Sequence, residues 1–159
     1  MIVPVFLAVD FMNFTFAKNP CSQNVPVPVV MEKGSFAYFD QKMGAGFDLR
    51  VDGVARGSLG KGTHQAVVAI VCDLPVGGTA AAYLFDERSN GATLLQQVAK
   101  GNWGPDWGAG PQSIHIRFAG NFLYVDSCKD NQCALRVVDT YALRNGKIRK
   151  VFSQTQPSR

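Results

Sequence analysis

The 159-residue sequence has no apolar run long enough to cross a membrane, and it carries little charge. A membrane-spanning helix needs roughly 20 consecutive apolar residues, and the apolar stretches here are far shorter. We therefore expect no membrane insertion. Charged residues make up only 18% of the chain, against 47% hydrophobic residues. This balance is typical of a folded globular chain and argues against wholesale disorder.

Signatures of catalysis and of cofactor binding are also missing. The chain has no Gly-x-Ser-x-Gly nucleophile motif and none of the short Cys-x-x-Cys or His-x-x-x-His spacings of structural zinc sites. Residues 57–63 are rich in glycine and include Lys61, but they lack the spacing of a phosphate loop and lead into a strand. The sequence predicts no cofactor and no metal.

The net charge of +4 is mildly basic, and the excess is concentrated near the C-terminus. Nucleic-acid binding calls for a basic face with interleaved aromatic residues or for a known module signature. Elsewhere in the chain the charges are scattered and of mixed sign. We interpret the basic residues as a solvated tail and expect no nucleic-acid partner. They are Arg144, Lys147, Arg149, Lys150 and Arg159.

Helical periodicity is nearly absent, and short segments rich in Val, Phe, Tyr and Ile recur about every 10 residues between Gly, Pro, Asn and Asp. This rhythm predicts a mainly β fold, an antiparallel sandwich or a strongly curved sheet. We expect a single domain over 1–153 and a flexible tail over 154–159. The predicted strands are 6–16, 27–31, 35–39, 46–55, 65–73, 79–86, 92–99, 112–119, 121–127, 133–143 and 147–153.

Turn chemistry and burial patterns place several of these strands more firmly. Gly120-Asn121 predicts one tight hairpin, and Asn145-Gly146 predicts another, of type I′. The segment 65–72 is continuously apolar, which indicates a central strand buried on both faces. Residues 93–100 form the one stretch that could be helical, and we assign them to a strand by context. A helix there would make the fold α+β.

Four cysteines allow three disulfide pairings. Cys128 and Cys133 are placed as two strand ends facing each other across a short turn. A bridge between Cys21 and Cys72 would close a much longer loop and contribute about 4 kcal/mol, against about 2 kcal/mol for the short one. Disulfides persist in oxidising compartments, so this interpretation predicts a periplasmic or secreted protein. Free buried thiols, or a metal site completed by a histidine, are the alternatives.

One segment resembles a known family. The run Gly57-Ser-Leu-Gly-Lys-Gly-Thr-His-Gln-Ala-Val-Val68 is similar to the segment Gly-Asp-Leu-x-Gly-Asp-Gly-x-x-Glu-Ala-Val-Val of exported bacterial β-rich domains, and to the calcium loops of FG-GAP or VCBS-type repeats. The resemblance implies export and a β-rich fold. The family's acidic positions are occupied by Ser58, Lys61 and Gln65, so the oxygen ligands that calcium needs are missing.

Both tryptophans lie in one loop rich in glycine and proline, residues 101–111. Exposed indoles flanked by polar groups suit stacking on a sugar ring or anchoring a partner protein. We therefore select Trp103, Trp107, Asn102 and Asp106 as candidate ligand-binding residues. The alternative is that the indoles cap an open end of the sheet.

Three functions remain open from the sequence. The leading hypothesis is a non-catalytic exported bacterial domain that binds a protein or glycan of the cell envelope. A second is a small secreted hydrolase that uses His64 or His115 with a carboxylate. The acidic candidates are Asp126, Asp130 and Asp139 near the cysteine hairpin, and Asp86 with Glu87 at the end of another strand. A third is a periplasmic inhibitor or immunity protein. The oligomeric state does not follow from the sequence.

Overall fold

The computed structural model describes residues 8–20, 26–74, 77–103, 114–129 and 133–158. Three antiparallel sheets account for most of this part of the chain, and its one helical element is a 3-10 turn at Phe11–Asn13. The mainly β, antiparallel sandwich predicted from the sequence is confirmed. Residues 93–100 lie within a strand, so the α+β alternative is wrong.

Eleven strands form the sheets in the described ranges. Strands β3 to β7 make a five-stranded meander, β8 to β11 make a four-stranded meander, and β1 pairs with β2. The bounds are β1 Thr15–Phe16, β2 Val29–Val30, β3 Ser35–Asp40, β4 Ala45–Gly57, β5 Gln65–Leu74, β6 Gly77–Arg88, β7 Gly91–Trp103, β8 Ile114–Ala119, β9 Phe122–Cys128, β10 Leu135–Arg144 and β11 Lys147–Pro157.

Strand β5 lies at the centre of the fold and is buried on both faces. Residues 65–72 are each at most 8% exposed. Val68 and Ile70 face a cluster completed by the N-terminal segment, whereas Val67 and Val71 face a second cluster shared with the four-stranded sheet. The domain therefore has three layers, and the continuous apolar run in β5 reflects cover on two sides.

The two predicted hairpin turns are confirmed. Asn145 and Gly146 have φ values of 51° and 73° between β10 and β11, as a type I′ turn requires. Gly120, with φ 56°, turns β8 into β9. These turns fix the order of the four-stranded sheet.

The two ends of the chain differ from the sequence prediction. Of the described part of the predicted strand 6–16, residues 8–16, only Thr15–Phe16 pairs as a strand, because Asp10 accepts a hydrogen bond from the Met12 N–H and begins the 3-10 turn. Residues 1–7 lie outside the described residues. At the other end, β11 continues to Pro157, which pairs with Leu135. Residues 154–157 are therefore paired strand where a flexible tail was predicted.

Gly57, at the end of β4, allows the two large sheets to approach closely. A Cβ at this position would overlap the Cβ and Cγ of Phe118 in β8. Gly57→Ala is therefore expected to lower the free energy of unfolding by about 1–3 kcal/mol through overpacking, measured by urea denaturation. Gly53→Ala in the same strand is the matched control, since a Cβ there meets nothing within 4 Å. Equal stability of the two variants would contradict the close approach of the two sheets at Gly57.

Candidate ligand-binding face

The four-stranded sheet has one buried face and one open face. Its inner side chains, Leu123, Val125 and Tyr141, are at most 6% exposed and pack against the five-stranded sheet. Because successive side chains of a strand point to opposite faces, Tyr124 and Asp126 of β9 point outwards. They are half-buried.

The strand register aligns the outward side chains in rows across this sheet, which we call the outer face. His115 of β8 lies opposite Asp126, and Arg117 lies opposite Tyr124. The rows continue onto β10 and β11 through residues that pair with Asp126 and Tyr124. In strand order, they are His115, Asp126, Val138 and Gln154, and then Arg117, Tyr124, Thr140 and Phe152.

An open hollow of about 340 Å³ lies on the outer face. Its walls combine an imidazole, a guanidinium, a phenol, a carboxylate and a carboxamide, which can donate and accept hydrogen bonds in several directions. The lining residues are His115, Ile116, Arg117, Tyr124, Asp126, Val138 and Gln156.

Aromatic rings are presented beside this hollow. The guanidinium carbon of Arg117 lies 4.2 Å from the centre of the Tyr124 ring, in cation–π geometry. Phe122 is 36% exposed, and Phe152 is 59% exposed. Phe122 and Tyr124 lie with their ring centres 6.4 Å apart. The outer face therefore offers both flat apolar surfaces and cationic donors.

Positive charge is concentrated on the four-stranded sheet. Within 8–20, 26–74 and 77–103 the chain carries eight basic and eight acidic residues, so this part is neutral. Within 114–129 and 133–158 it carries seven basic residues against two acidic ones. The two acids are paired, Asp126 with Arg136 and Asp139 with Lys150. The seven are Arg117, Lys129, Arg136, Arg144, Lys147, Arg149 and Lys150.

Asp139 belongs to the inner face and serves a different role from Asp126. It is 8% exposed, and the Lys150 ammonium donates to its Oδ2 at 2.6 Å. That hydrogen bond raises the pKa of Lys150, and burial raises the pKa of Tyr141, whose hydroxyl donates to the Val98 carbonyl. Since Asp126 and Asp139 lie on opposite faces, they do not form the carboxylate pair that glycoside hydrolysis requires.

The second pair of acidic candidates, Asp86 and Glu87, is engaged in structural contacts. Asp86 accepts hydrogen bonds from Gln65 and Arg88. Glu87, whose side chain is 1% exposed, accepts from the Val9 N–H and from Arg56. Both carboxylates therefore hold the end of the five-stranded sheet together.

The two histidines belong to different parts of the sandwich, one before the central strand of the five-stranded sheet and one in the four-stranded sheet. His64 immediately precedes β5, and its carbonyl accepts a hydrogen bond from the Glu87 N–H at 2.8 Å. His115 is exposed on the outer face, as its alternation with Ile114 and Ile116 predicts, and lines the hollow together with Asp126. No serine, threonine or cysteine side chain belongs to the described lining of the hollow. The His115–Asp126 row therefore lacks a serine, threonine or cysteine nucleophile from those residues.

The glycine-rich segment before β5 is held by hydrogen bonds among its own residues and to Gln65. The Gln65 Oε1 accepts from the Leu59 N–H at 2.9 Å and from the Thr63 hydroxyl at 3.1 Å. The Thr63 hydroxyl also lies 2.9 Å from the Gly60 carbonyl. These bonds make residues 58–63 a tight turn that enters the core strand. Within the described ranges, no three His, Cys, Asp or Glu side chains are grouped as a metal site.

The structure locates only part of the predicted tryptophan site. Asn102 and Trp103 are the last residues of β7 and pair with Thr79 and Gly78. Asp106 and Trp107 lie outside the described residues. The segment 104–113 joins β7 to β8, and the second residue of β8 is His115. The tryptophan loop is thus connected directly to the edge of the hollow.

The disulfide prediction is confirmed for the short loop. Cys128 and Cys133 are joined, with their Cα atoms 4.8 Å apart. Cys72 is also disulfide-bonded, whereas Cys21 lies outside the described residues. Disulfide bonding is compatible with an exported protein.

The outer face was not selected from the sequence, although a signal for it was present. His115 and Arg117 alternate with isoleucines, and Tyr124 and Asp126 alternate with Leu123 and Val125. This period of two predicts that each pair shares a face with its strand neighbours. The sheet in which these strands meet had to be known before the residues could be joined into one site.

Comparison with known proteins gives no relative from which a function could be taken. No protein-family model, no curated protein and no solved structure matches the chain. In the described ranges, the chain forms no helix with the length and apolar character that a membrane crossing requires.

Proposed function

We propose that this chain is a non-catalytic binding module of an exported bacterial protein, and that it binds an acidic glycan of the cell envelope on the outer face. The observation that carries the proposal is the coincidence of excess positive charge on the four-stranded sheet with exposed aromatic rings and an open hollow on its outer face. The tryptophan loop, connected to the edge of the hollow, supplies further contacts in this proposal.

The chemistry of the hollow fits an acidic sugar. A guanidinium binds a carboxylate or sulfate through two parallel hydrogen bonds, and Arg117 is exposed at the lining of the hollow. Tyr124 and Gln156 offer hydrogen bonds to ring hydroxyls. Exposed Phe122 and Phe152 provide apolar surface for the faces of sugar rings.

A glycan fits better than a single-stranded nucleic acid. The disulfides favour an oxidising compartment, which supports a ligand of the cell envelope over an intracellular nucleic acid.

Arg117→Ala is expected to weaken binding of hexagalacturonic acid about 10-fold or more, because it removes a charge-assisted contact of about 1.5–3 kcal/mol. Isothermal titration calorimetry at low salt gives the affinity. Arg88→Ala is the matched control, since Arg88 is an exposed arginine on the five-stranded sheet. We expect it to leave the affinity unchanged.

Salt and competing probes complete this experiment. Affinity is expected to fall as ionic strength rises, because the exposed charges are screened, and maltohexaose should not bind. Equal losses in Arg117→Ala and Arg88→Ala would contradict the proposed site. Tighter binding of an oligothymidylate than of hexagalacturonic acid would contradict the glycan proposal and indicate a nucleic-acid ligand.

The tryptophan loop is tested separately. Trp103→Ala and Trp107→Ala are to be assayed with the same hexagalacturonic acid, together with thermal unfolding of each variant. Loss of binding at unchanged stability would place the loop in the site. Loss of stability with binding retained would restrict the site to the outer face.

A further inference from the structure

The Cys128–Cys133 disulfide lies beside the guanidinium of Arg136. We infer that this pair is a thiol–disulfide exchange site, reducible by a dithiol, whose thiolate is stabilised by Arg136. The inference does not depend on the proposed function, because it concerns the chemistry of the two sulfur atoms.

Arg136 contacts both sulfur atoms. Its Nη1 lies 3.3 Å from Cys133 Sγ and 3.7 Å from Cys128 Sγ. Cys128 ends β9 directly opposite Arg136 in β10, so the sheet register sets this position. The Arg136 side chain is 15% exposed, and both cysteines are half-buried. A largely buried cation therefore lies within reach of the sulfurs, in a pair of cysteines that is itself only half-buried.

Two other donors of Arg136 are held by Asp126. Its Nε donates to Asp126 Oδ1 at 2.7 Å, and its Nη2 donates to the Asp126 carbonyl at 3.3 Å. These bonds orient the guanidinium, and Nη1 lies beside the two sulfur atoms. The Ser158 hydroxyl also donates to the Cys133 carbonyl and lies 3.9 Å from Cys133 Sγ. The surroundings of the disulfide therefore carry hydrogen-bond donors in fixed positions.

This arrangement favours the reduced, ionised form of the pair. A neighbouring guanidinium lowers the pKa of a thiol because it stabilises the thiolate. Stabilising the reduced form makes the disulfide easier to reduce. Asp126 offsets part of the effect, since it shares the positive charge of Arg136.

The exchange reaction balances with a dithiol as reductant. A thiolate of the dithiol attacks one sulfur, a mixed disulfide forms, and the second cysteine leaves as a thiolate next to Arg136. The second thiolate of the dithiol then closes its own disulfide and releases the first cysteine. Two electrons pass to the protein, and the dithiol becomes a cyclic disulfide.

The test compares the protein with Arg136→Gln and Arg136→Lys, using dithiothreitol as the dithiol. After reduction, the rate of alkylation by iodoacetamide is measured against pH for each cysteine on its own tryptic peptide. One thiol of the pair is expected to titrate below the ordinary thiol pKa of about 8.5. At pH 7, it should react about tenfold more slowly in Arg136→Gln. Arg136→Lys, which keeps the charge, should retain most of the rate.

Redox titration in dithiothreitol buffers supplies a second readout. A smaller reduced fraction of the Cys128–Cys133 pair is expected in Arg136→Gln than in the unchanged protein at the same buffer ratio. Circular dichroism of the oxidised proteins confirms that the variants fold. Thiols that titrate near 8.5 in all three proteins, or equal reduced fractions, would overturn the inference, whatever the outcome of the glycan titrations.

Discussion

Val68→Asp is expected to prevent folding, and Val67→Asp is expected to do the same. Both side chains are fully buried in β5, one in each hydrophobic cluster. An unpaired carboxylate at either position would cost several kcal/mol, which is comparable to the whole free energy of unfolding of a domain, about 5–15 kcal/mol. Far-ultraviolet circular dichroism and urea denaturation measure the loss.

Val151→Asp is the matched control for these two variants. Val151 lies in the edge strand β11 and is 40% exposed, so its replacement is expected to change the free energy of unfolding by less than about 1 kcal/mol. A folded, stable Val68→Asp variant would contradict the packing of the N-terminal segment on β5. A folded, stable Val67→Asp would contradict the packing of the four-stranded sheet on β5.

Arg56→Ala is expected to lower the free energy of unfolding by about 3 kcal/mol, because it leaves the buried carboxylate of Glu87 without its cation. The Arg56 guanidinium donates to Glu87 Oε1 at 3.3 Å and to the Val9 carbonyl at 2.6 Å, and Glu87 accepts from the Val9 N–H at 3.0 Å. This network fixes the N-terminal segment to the end of β4 and β6. Urea denaturation gives the value.

Arg50→Ala provides the comparison within the same strand. Arg50 pairs with Asp73, and the two side chains are 44% and 36% exposed, so its loss is expected to cost at most about 1 kcal/mol. In the Arg56→Ala background, Glu87→Gln should restore part of the stability because it removes the unpaired charge. Equal effects of Arg56→Ala and Arg50→Ala would contradict a special role for the buried network.

The strands and hairpins could be predicted because their signals are local. Asn145-Gly146 tolerates positive φ at both central positions, so the turn and its two strands follow from a few residues. The run 65–72 is apolar without alternation, which predicts burial on both faces before any neighbour is known. Its neighbours β4 and β6 confirm that central position.

The structure of the two chain ends could not be predicted in the same way, because it depends on contacts between residues distant in sequence. Phe14 and Phe16 suggest a strand by alternation, yet the ring centres of Phe11, Phe14 and Phe16 lie 5.0–6.2 Å from that of Phe85 as one aromatic cluster around a turn. The polar residues 154–157 show no strand signal of their own. They pair because β10 extends to Leu135 and offers them a partner.

The outer face could not be predicted from the alternation of residues alone, because its prediction also requires the topology of the sheet. Arg117, Tyr124 and Phe152 are spread over 36 positions of sequence and become one row only through the order of the four-stranded sheet. The concentration of positive charge on the four-stranded sheet could not be predicted from the sequence either. The sequence presents the basic residues of 144–150 as a solvated tail, whereas the structure places them on the β10–β11 hairpin of that sheet.

Amide chemical-shift mapping by nuclear magnetic resonance, during titration with hexagalacturonic acid, tests the central claim most directly. The proposed binding module predicts that the largest saturable shifts fall on β8 and β9 around His115, Arg117 and Tyr124, and on Gln156 of β11. The five-stranded sheet should change little, apart from the end of β7 that leads into the tryptophan loop. No saturable shift, or shifts concentrated on the five-stranded sheet, would contradict the outer face as the ligand site.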